Sequence, residues 1–159
     1  MKKQKIVIVL SFLAAVILSG SCNAPQPKAQ SSLEEARTAI AASNDIYFQA
    51  FVKGDSSIFI DRYAKDCCIM PPGMPALCGP TAPLDFFRIA YGQIRLRNGK
   101  FTTTDIYGDG GEFVTEEGLW QSFDAHNVLF DNGKFLVLWK KTPSGWKMFR
   151  DSFSSDKGK

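Results

Sequence analysis

Residues 133–155, GKFLVLWKKTPSGWKMFRDSFSS, decide the fold of this chain. They read as two long strands joined by a tight turn at Thr142-Pro143-Ser144-Gly145. Strand side chains alternate between faces. Phe135, Val137 and Trp139 therefore share one face of the first strand, and Leu136 and Leu138 the other, with Lys134 and Lys140 at the ends. An antiparallel strand with one wet face would alternate apolar and polar residues. Here both faces are apolar at the centre, which predicts helices on one side and a second subunit on the other. In the second strand, alternation puts Trp146 and Met148 on one face and Phe149, Asp151 and Phe153 on the other. Asp151 is then a carboxylate among aromatic residues. Such a group sits at the mouth of a pocket or is capped by donors, because burying it unpaired is costly.

Upstream, Ser31-Ser32 ahead of Glu34-Glu35 has the capping-box pattern of a helix start. Leu33, Ala36, Ile40, Tyr47 and Phe51 recur at helical spacing, and Gly54 ends the helix. Asp55 is placed to cap a second, shorter helix running through Ile58, Phe59 and Tyr63. Residues 67–70 read as a short strand, 71–75 as a proline-rich turn, and 76–78 as a returning strand. Pro80 or Thr81 opens a third helix through Ile94, closed by Asn98-Gly99. The rest reads as strand: 100–107, a turn at 108–111, 112–123, 127–130, a turn at Asp131-Asn132-Gly133, and the terminal hairpin. Helices followed by a run of antiparallel strands predict an α+β fold, with helices on one face of a curved sheet. The folded domain spans about residues 31–155, with a short tail at 156–159.

The beginning of the chain is an address. Lys2, Lys3 and Lys5 precede an apolar run from Ile6 to Leu18, then Ser19-Gly20-Ser21 and Cys22. Residues 1–21 read as a secretory signal peptide, too short and wrongly flanked for a stable membrane span. The junction is similar to a bacterial lipobox, with Cys22 as the lipidated residue. Leu18 stands one step earlier than the usual leucine. Residues 22–30 are then the lipidated cysteine and a polar tether. The expected location is the periplasmic or outer side of a membrane, held by the N-terminal lipid. Those three lysines also account for the whole formal charge of +3. The exported remainder carries 16 basic and 16 acidic residues, from 19 less 3 basic and 16 acidic. A neutral chain lacks the clustered positive charge that nucleic acid binding requires.

Several stretches together resemble a known family. They are Phe51-Val52-Lys53-Gly54-Asp55, Tyr63-Ala64-Lys65-Asp66 leading into Met70-Pro71-Pro72-Gly73, and Gly79-Pro80 opening a helix. Gly133-Lys134-Phe135 to Trp139-Lys140-Lys141 and Gly145-Trp146-Lys147 to Asp151 complete the set. In this order the chain resembles the DUF4440 group of the SnoaL-like, NTF2-like superfamily. The resemblance implies a cone-shaped sheet wrapped around helices, a deep pocket at the open end, and homodimers formed through the outer sheet face. It also implies a range of functions, from ketosteroid isomerases and polyketide cyclases to pocketed proteins without a reaction, so the site itself has to be argued.

Isomerase and cyclase relatives use a pocket carboxylate or histidine as general base, with a tyrosine or protonated acid donating to an enolate. Asp151 matches the resembled position near the end of the last strand, and its alternative role is a structural carboxylate tied to donors. Tyr47 and Tyr63 are expected on helical faces that meet the sheet, as core residues whose hydroxyls need partners. Tyr107 and Glu117 lie on adjacent strands, facing inward or outward according to register. Trp120 reads most simply as core and His126 as a solvated loop residue, and both are also possible pocket-lining residues. Cys78 could pair with Cys67 or Cys68 across the proline turn. No zinc-ligand spacing, phosphate loop or nucleophile elbow is present, and no motif implies a cofactor. Three readings follow: an exported pocket for a small apolar or amphipathic molecule, an enzyme moving a proton next to a carbonyl with Asp151 as base, or a non-catalytic dimeric interaction module.

Overall fold

The computed structural model describes residues 28–157. The signal peptide, Cys22 and most of the tether fall outside the described residues. The first helix, α1 (Lys28–Tyr47), begins inside the expected tether rather than at Ser31. The expected single helix to Gly54 is broken at Phe48, and α2 (Gln49–Lys53) follows. The break lets the successive residues Tyr47 and Phe48 both turn inward, 6% and 9% exposed. Gly54 closes α2 in the left-handed conformation. Asp55 caps α3 (Ser56–Ile60), accepting from the Ser57 N–H at 2.9 Å.

Tyr63 does not belong to that helix. It begins β1 (Tyr63–Met70), which pairs in parallel with the last strand, β6 (Gly145–Ser155). The Met148 N–H donates to the Arg62 carbonyl at 2.9 Å, so pairing with β6 starts as soon as α3 ends. Across the proline turn, β2 (Leu77–Cys78) pairs with β1, and a Cys68–Cys78 disulfide joins them while Cys67 is buried and free. Next come α4 (Ala82–Arg88) and a wider π-helical turn, Ile89–Ile94, stopped by Arg95 in the left-handed region. Then follow β3 (Asn98–Tyr107), β4 (Phe113–Phe123) and β5 (Leu129–Thr142).

The six strands lie in the order β2-β1-β6-β5-β4-β3, antiparallel throughout except for β1 against β6. This is the expected α+β cone, a curved mixed sheet with the helices on its inner face. The interior is largely aromatic. Phe51 stacks on Phe87 with ring centroids 5.0 Å apart, and Phe59 stacks on Phe86 at 5.8 Å. On the sheet's outer face Leu119 and Leu136 are about half exposed.

Two expected chain breaks are strand interior instead. Asn98-Gly99 opens β3 rather than closing a helix. A Cβ at Gly99 would lie 2.1 Å from the Phe48 ring, so the glycine is there for close packing. Asp131-Asn132-Gly133 lies within β5, and the reversal occurs earlier, between Asp124 and Val128. Gly133 meets the neighbouring strand too closely for a side chain, with 1.8 Å between its would-be Cβ and the Ser154 carbonyl oxygen.

The largest correction concerns β6. The register shifts between Leu138 and Trp139, which pair with Arg150 and Met148, leaving Phe149 as an extra residue. This β-bulge resets the alternation. Trp146, Met148 and Asp151 are therefore all buried on the inner face, not divided between two faces. Phe149 packs outside, against Phe113 and beneath the Arg150 guanidinium.

Gly133→Ala should lower stability by about 2 kcal/mol or more, since only backbone movement relieves its contact. Gly92→Ala, with open space around its Cβ, should change stability by no more than about 0.5 kcal/mol. Chemical denaturation of the two variants checks the contrast.

Candidate functional site

Between the helices and the inner face of β4, β5 and β6 lies a cavity of about 60 Å³. At roughly 10–15 Å³ for each water-sized occupant, it holds a handful of small groups. Its walls are mostly aromatic and aliphatic, including Phe48, Phe86, Phe101, Trp120, Phe135, Met148 and Phe153. Two carboxylates also line it, Asp151 from β6 and Glu116 from β4. Both are nearly inaccessible, 6% and 1% exposed.

The two acids are held differently. Glu116 accepts three hydrogen bonds, from Asn44 Nδ2 at 2.7 Å, Thr103 Oγ1 at 2.6 Å and Trp139 Nε1 at 2.9 Å. Both of its oxygens are engaged, so it is a fixed, solvated-in-protein group. Burial nevertheless raises its pKa, opposed by those three donors. Asp151 accepts one hydrogen bond, from the Tyr63 hydroxyl to Oδ2 at 2.6 Å. Its second oxygen is left for the cavity. Burial, with the nearby Glu116 charge added, pushes Asp151 up to about 6 against the pull of the Tyr63 hydrogen bond.

Tyr63 stands behind Asp151. Its hydroxyl lies 3.4 Å from that of Tyr47, which does line the cavity. Tyr63 gives its one hydroxyl hydrogen to Asp151, so Tyr47 is the donor in the tyrosine pair. Burial, then the Asp151 charge, hold both phenols protonated, well above their ordinary pKa. The result is a short relay, Tyr47 to Tyr63 to Asp151, ending on a carboxylate that is a usable base near neutral pH.

The other candidates separate cleanly. Trp120 lines the cavity and donates from Nε1 to the Ser154 carbonyl at 3.1 Å. Tyr107 and Glu117 do not reach it. On β4 the buried residues are Val114, Glu116, Gly118, Trp120 and Ser122, so Glu117 falls on the opposite face and is exposed. On β3 Ile106 points inward and Tyr107 is 44% exposed. His126 is exposed in the turn after β4, where the Asp124 carboxylate accepts from its backbone N–H at 2.9 Å. Glu116 was overlooked in the sequence, although its parity with Val114 and Trp120 marks it as the inward member of the Glu116-Glu117 pair.

No family model matches this chain, and no curated protein matches it. Solved structures do. An NTF-2 like protein of unknown function from Shewanella oneidensis MR-1 superimposes with a TM-score of 0.63 at 18% identity, over 75% of this chain and 98% of that one. A ketosteroid isomerase-like protein from Erwinia carotovora atroseptica SCRI1043 gives 0.60 at 19% identity, over 76% and 96%. The hexachlorocyclohexane dehydrochlorinase LinA-type3 from Novosphingobium barchaimii LL02 gives 0.61 at 14% identity, over 80% and 91%. At these identities the likeness establishes the NTF2-like fold.

Asp151 gives a stability signature. An acid that titrates at 3.8 unfolded and about 6 folded binds more protons in the folded state between those values. Stability therefore falls as pH rises through that window, by roughly 3 kcal/mol at completion. Asp151→Asn, which still accepts from Tyr63, should unfold later than the parent at pH 7.5 and lose that advantage near pH 4. Unfolding midpoints at the two pH values decide it.

Proposed function

We propose that this protein is an enzyme of the isomerase or cyclase kind, moving a proton next to a carbonyl in a small, largely apolar substrate. The observation that carries the reading is Asp151, a buried cavity carboxylate with a pKa near 6 and a tyrosine hydroxyl on one oxygen. In this scheme Asp151 removes the proton from the carbon next to the carbonyl. Tyr47 turns its hydroxyl from Tyr63 to the substrate oxygen and stabilises the enolate charge. Tyr63 keeps Asp151 oriented. Glu116, fully occupied by its donors, does not take part in proton transfer. The apolar walls exclude water and favour the neutral substrate. The isomerase-like and dehydrochlorinase neighbours share the fold and supply analogy only.

We further infer the setting. The chain belongs with the DUF4440, SnoaL-like group, is exported by residues 1–21, and is lipid-anchored at Cys22 facing the periplasm or cell exterior. The Cys68–Cys78 disulfide suits an oxidising compartment. Leu119 and Leu136 on the outer sheet face suit a homodimer contact.

The test of the chemistry is proton exchange at the carbon next to the carbonyl, followed by NMR in D₂O across a panel of small ketones. The parent should catalyse exchange with a rate rising through about pH 6, and Asp151→Asn should be slower by about 100-fold or more. An unchanged rate in Asp151→Asn would end the proposal. For the anchor, the full chain should fractionate with membranes and Cys22→Ala should move to the soluble fraction.

A further inference from the structure

The cavity beside Asp151 has a neighbour. A second chamber of about 170 Å³ shares five lining residues with it: Phe86, Leu96, Trp120, Ser122 and Phe153. Its outer walls are the proline turn, with Pro71, Pro72 and Met74, and the π-helical turn, with Ala90 and Ile94. The Cys68–Cys78 bridge ties the two ends of the proline turn together, so this wall is preformed. Ile94, 47% exposed, lies at the outer side. The chamber's one carboxylate, Asp131, accepts from the Asn132 N–H at 2.8 Å and the Ser155 hydroxyl at 2.7 Å, both on Oδ1.

Phe153 is one of the five residues that line both chambers. It lies two residues beyond Asp151 on the same strand, and both line the inner cavity. Its ring meets Phe86 edge-on at 5.9 Å and Trp120 edge-on at 5.7 Å. Unlike the fully packed core rings it is only partly buried. A ring packed against the core but partly exposed has room to turn on its exposed side. The inner chamber alone is smaller than the 300–1,000 Å³ usual for a ligand pocket. A molecule with its polar head at Asp151 therefore needs the outer chamber for any sizeable apolar body.

We propose that the outer chamber is the subsite for the apolar tail of an elongated ligand whose carbonyl head reaches Asp151, with the Phe153 ring as the movable partition between them. The proposal rests on Asp151 marking the head site. It selects flexible, narrow molecules with one carbonyl end over compact ones of equal polarity. Met74 and Ile94 set how long a tail is accepted.

Binding of 2-butanone, 2-hexanone and 2-octanone tests it, with the Trp120 indole N–H followed by NMR titration. Asp151→Asn protein is used in parallel, so that a failure of catalysis does not touch the result. Affinity should rise about threefold to fourfold for each added methylene. Met74→Trp, which fills the outer chamber, should remove that gain while leaving 2-butanone unchanged. Ile94→Trp, on the facing wall, serves if Met74→Trp does not fold. Phe153→Ala should speed association of 2-octanone several-fold. Affinity independent of chain length, or a tryptophan variant that weakens all three ketones equally, would overturn the proposal. No ketone binding in a protein that still exchanges other carbonyl substrates would overturn it as well, without touching the role of Asp151.

Discussion

One extra residue in the last strand sets the direction in which Asp151 faces. With uninterrupted alternation, Trp146 and Met148 inside would leave Asp151 outside, opposite the helices. The bulge at Phe149 moves Asp151 inward, and three consequences follow. Asp151 comes level with Val137 on β5 and Ile69 on β1, among side chains that cannot solvate it. It also comes within reach of Tyr63, the first residue of the strand that pairs with β6 in parallel. Phe149, displaced outward, fills the outer surface between Phe113, Lys140 and Arg150. Bulges of this kind re-aim side chains beside active sites, and this one aims a carboxylate into an aromatic cavity.

The two buried acids show what the protein does when it wants a carboxylate for structure. Glu116 has a full set of neutral donors from α1, β3 and β5, and it ties those elements together at the cavity floor. Asp151 has one donor and an open oxygen. Neither acid has a cation among the cavity-lining residues. If Asp151 served only to fix the fold, an asparagine would make the same hydrogen bond to Tyr63 without the cost of a buried charge. In the proposed reaction the under-satisfied carboxylate supplies a basicity that an asparagine lacks.

The fold was legible because its determinants are local and periodic. The hairpin at 142–145, the cap at Asp55, the glycine stop at 54 and the helices-then-strands order were all readable. An acid amid aromatic residues is legible at Asp151, but its face is not, because simple alternation sets it opposite Trp146 and Met148 while the bulge puts all three inside. A bulge leaves no periodic trace, and Phe149 reads as an ordinary strand residue. Glycines misled twice. Gly99 and Gly133 look like turn residues, yet each is needed where a strand comes against a Phe48 ring or the Ser154 carbonyl. Tyr63 was placed on a helix because aromatic spacing continued past Phe59, while its strand fate depends on a partner over 80 residues away. Glu116 was missed, and Glu117 named, because register was left open.

The choice between binder and enzyme turns on what the cavity stabilises. A site built only to hold an apolar molecule gains nothing from an ionised group in its wall, because displacing what little solvent reaches it costs affinity. A site built to pull a proton from carbon gains twice. Burial raises the basicity of Asp151 toward neutrality, and the same low-polarity surroundings strengthen the tyrosine donor that receives the developing negative charge. Both effects grow as water is displaced, and Phe86, Trp120 and Phe153 bring apolar surface to the small inner chamber. The smallness of the inner cavity, awkward for a general binding pocket, is therefore what the proton-transfer reading requires. In the proposed scheme the larger outer chamber carries the binding, so affinity and reactivity fall to different walls of one path.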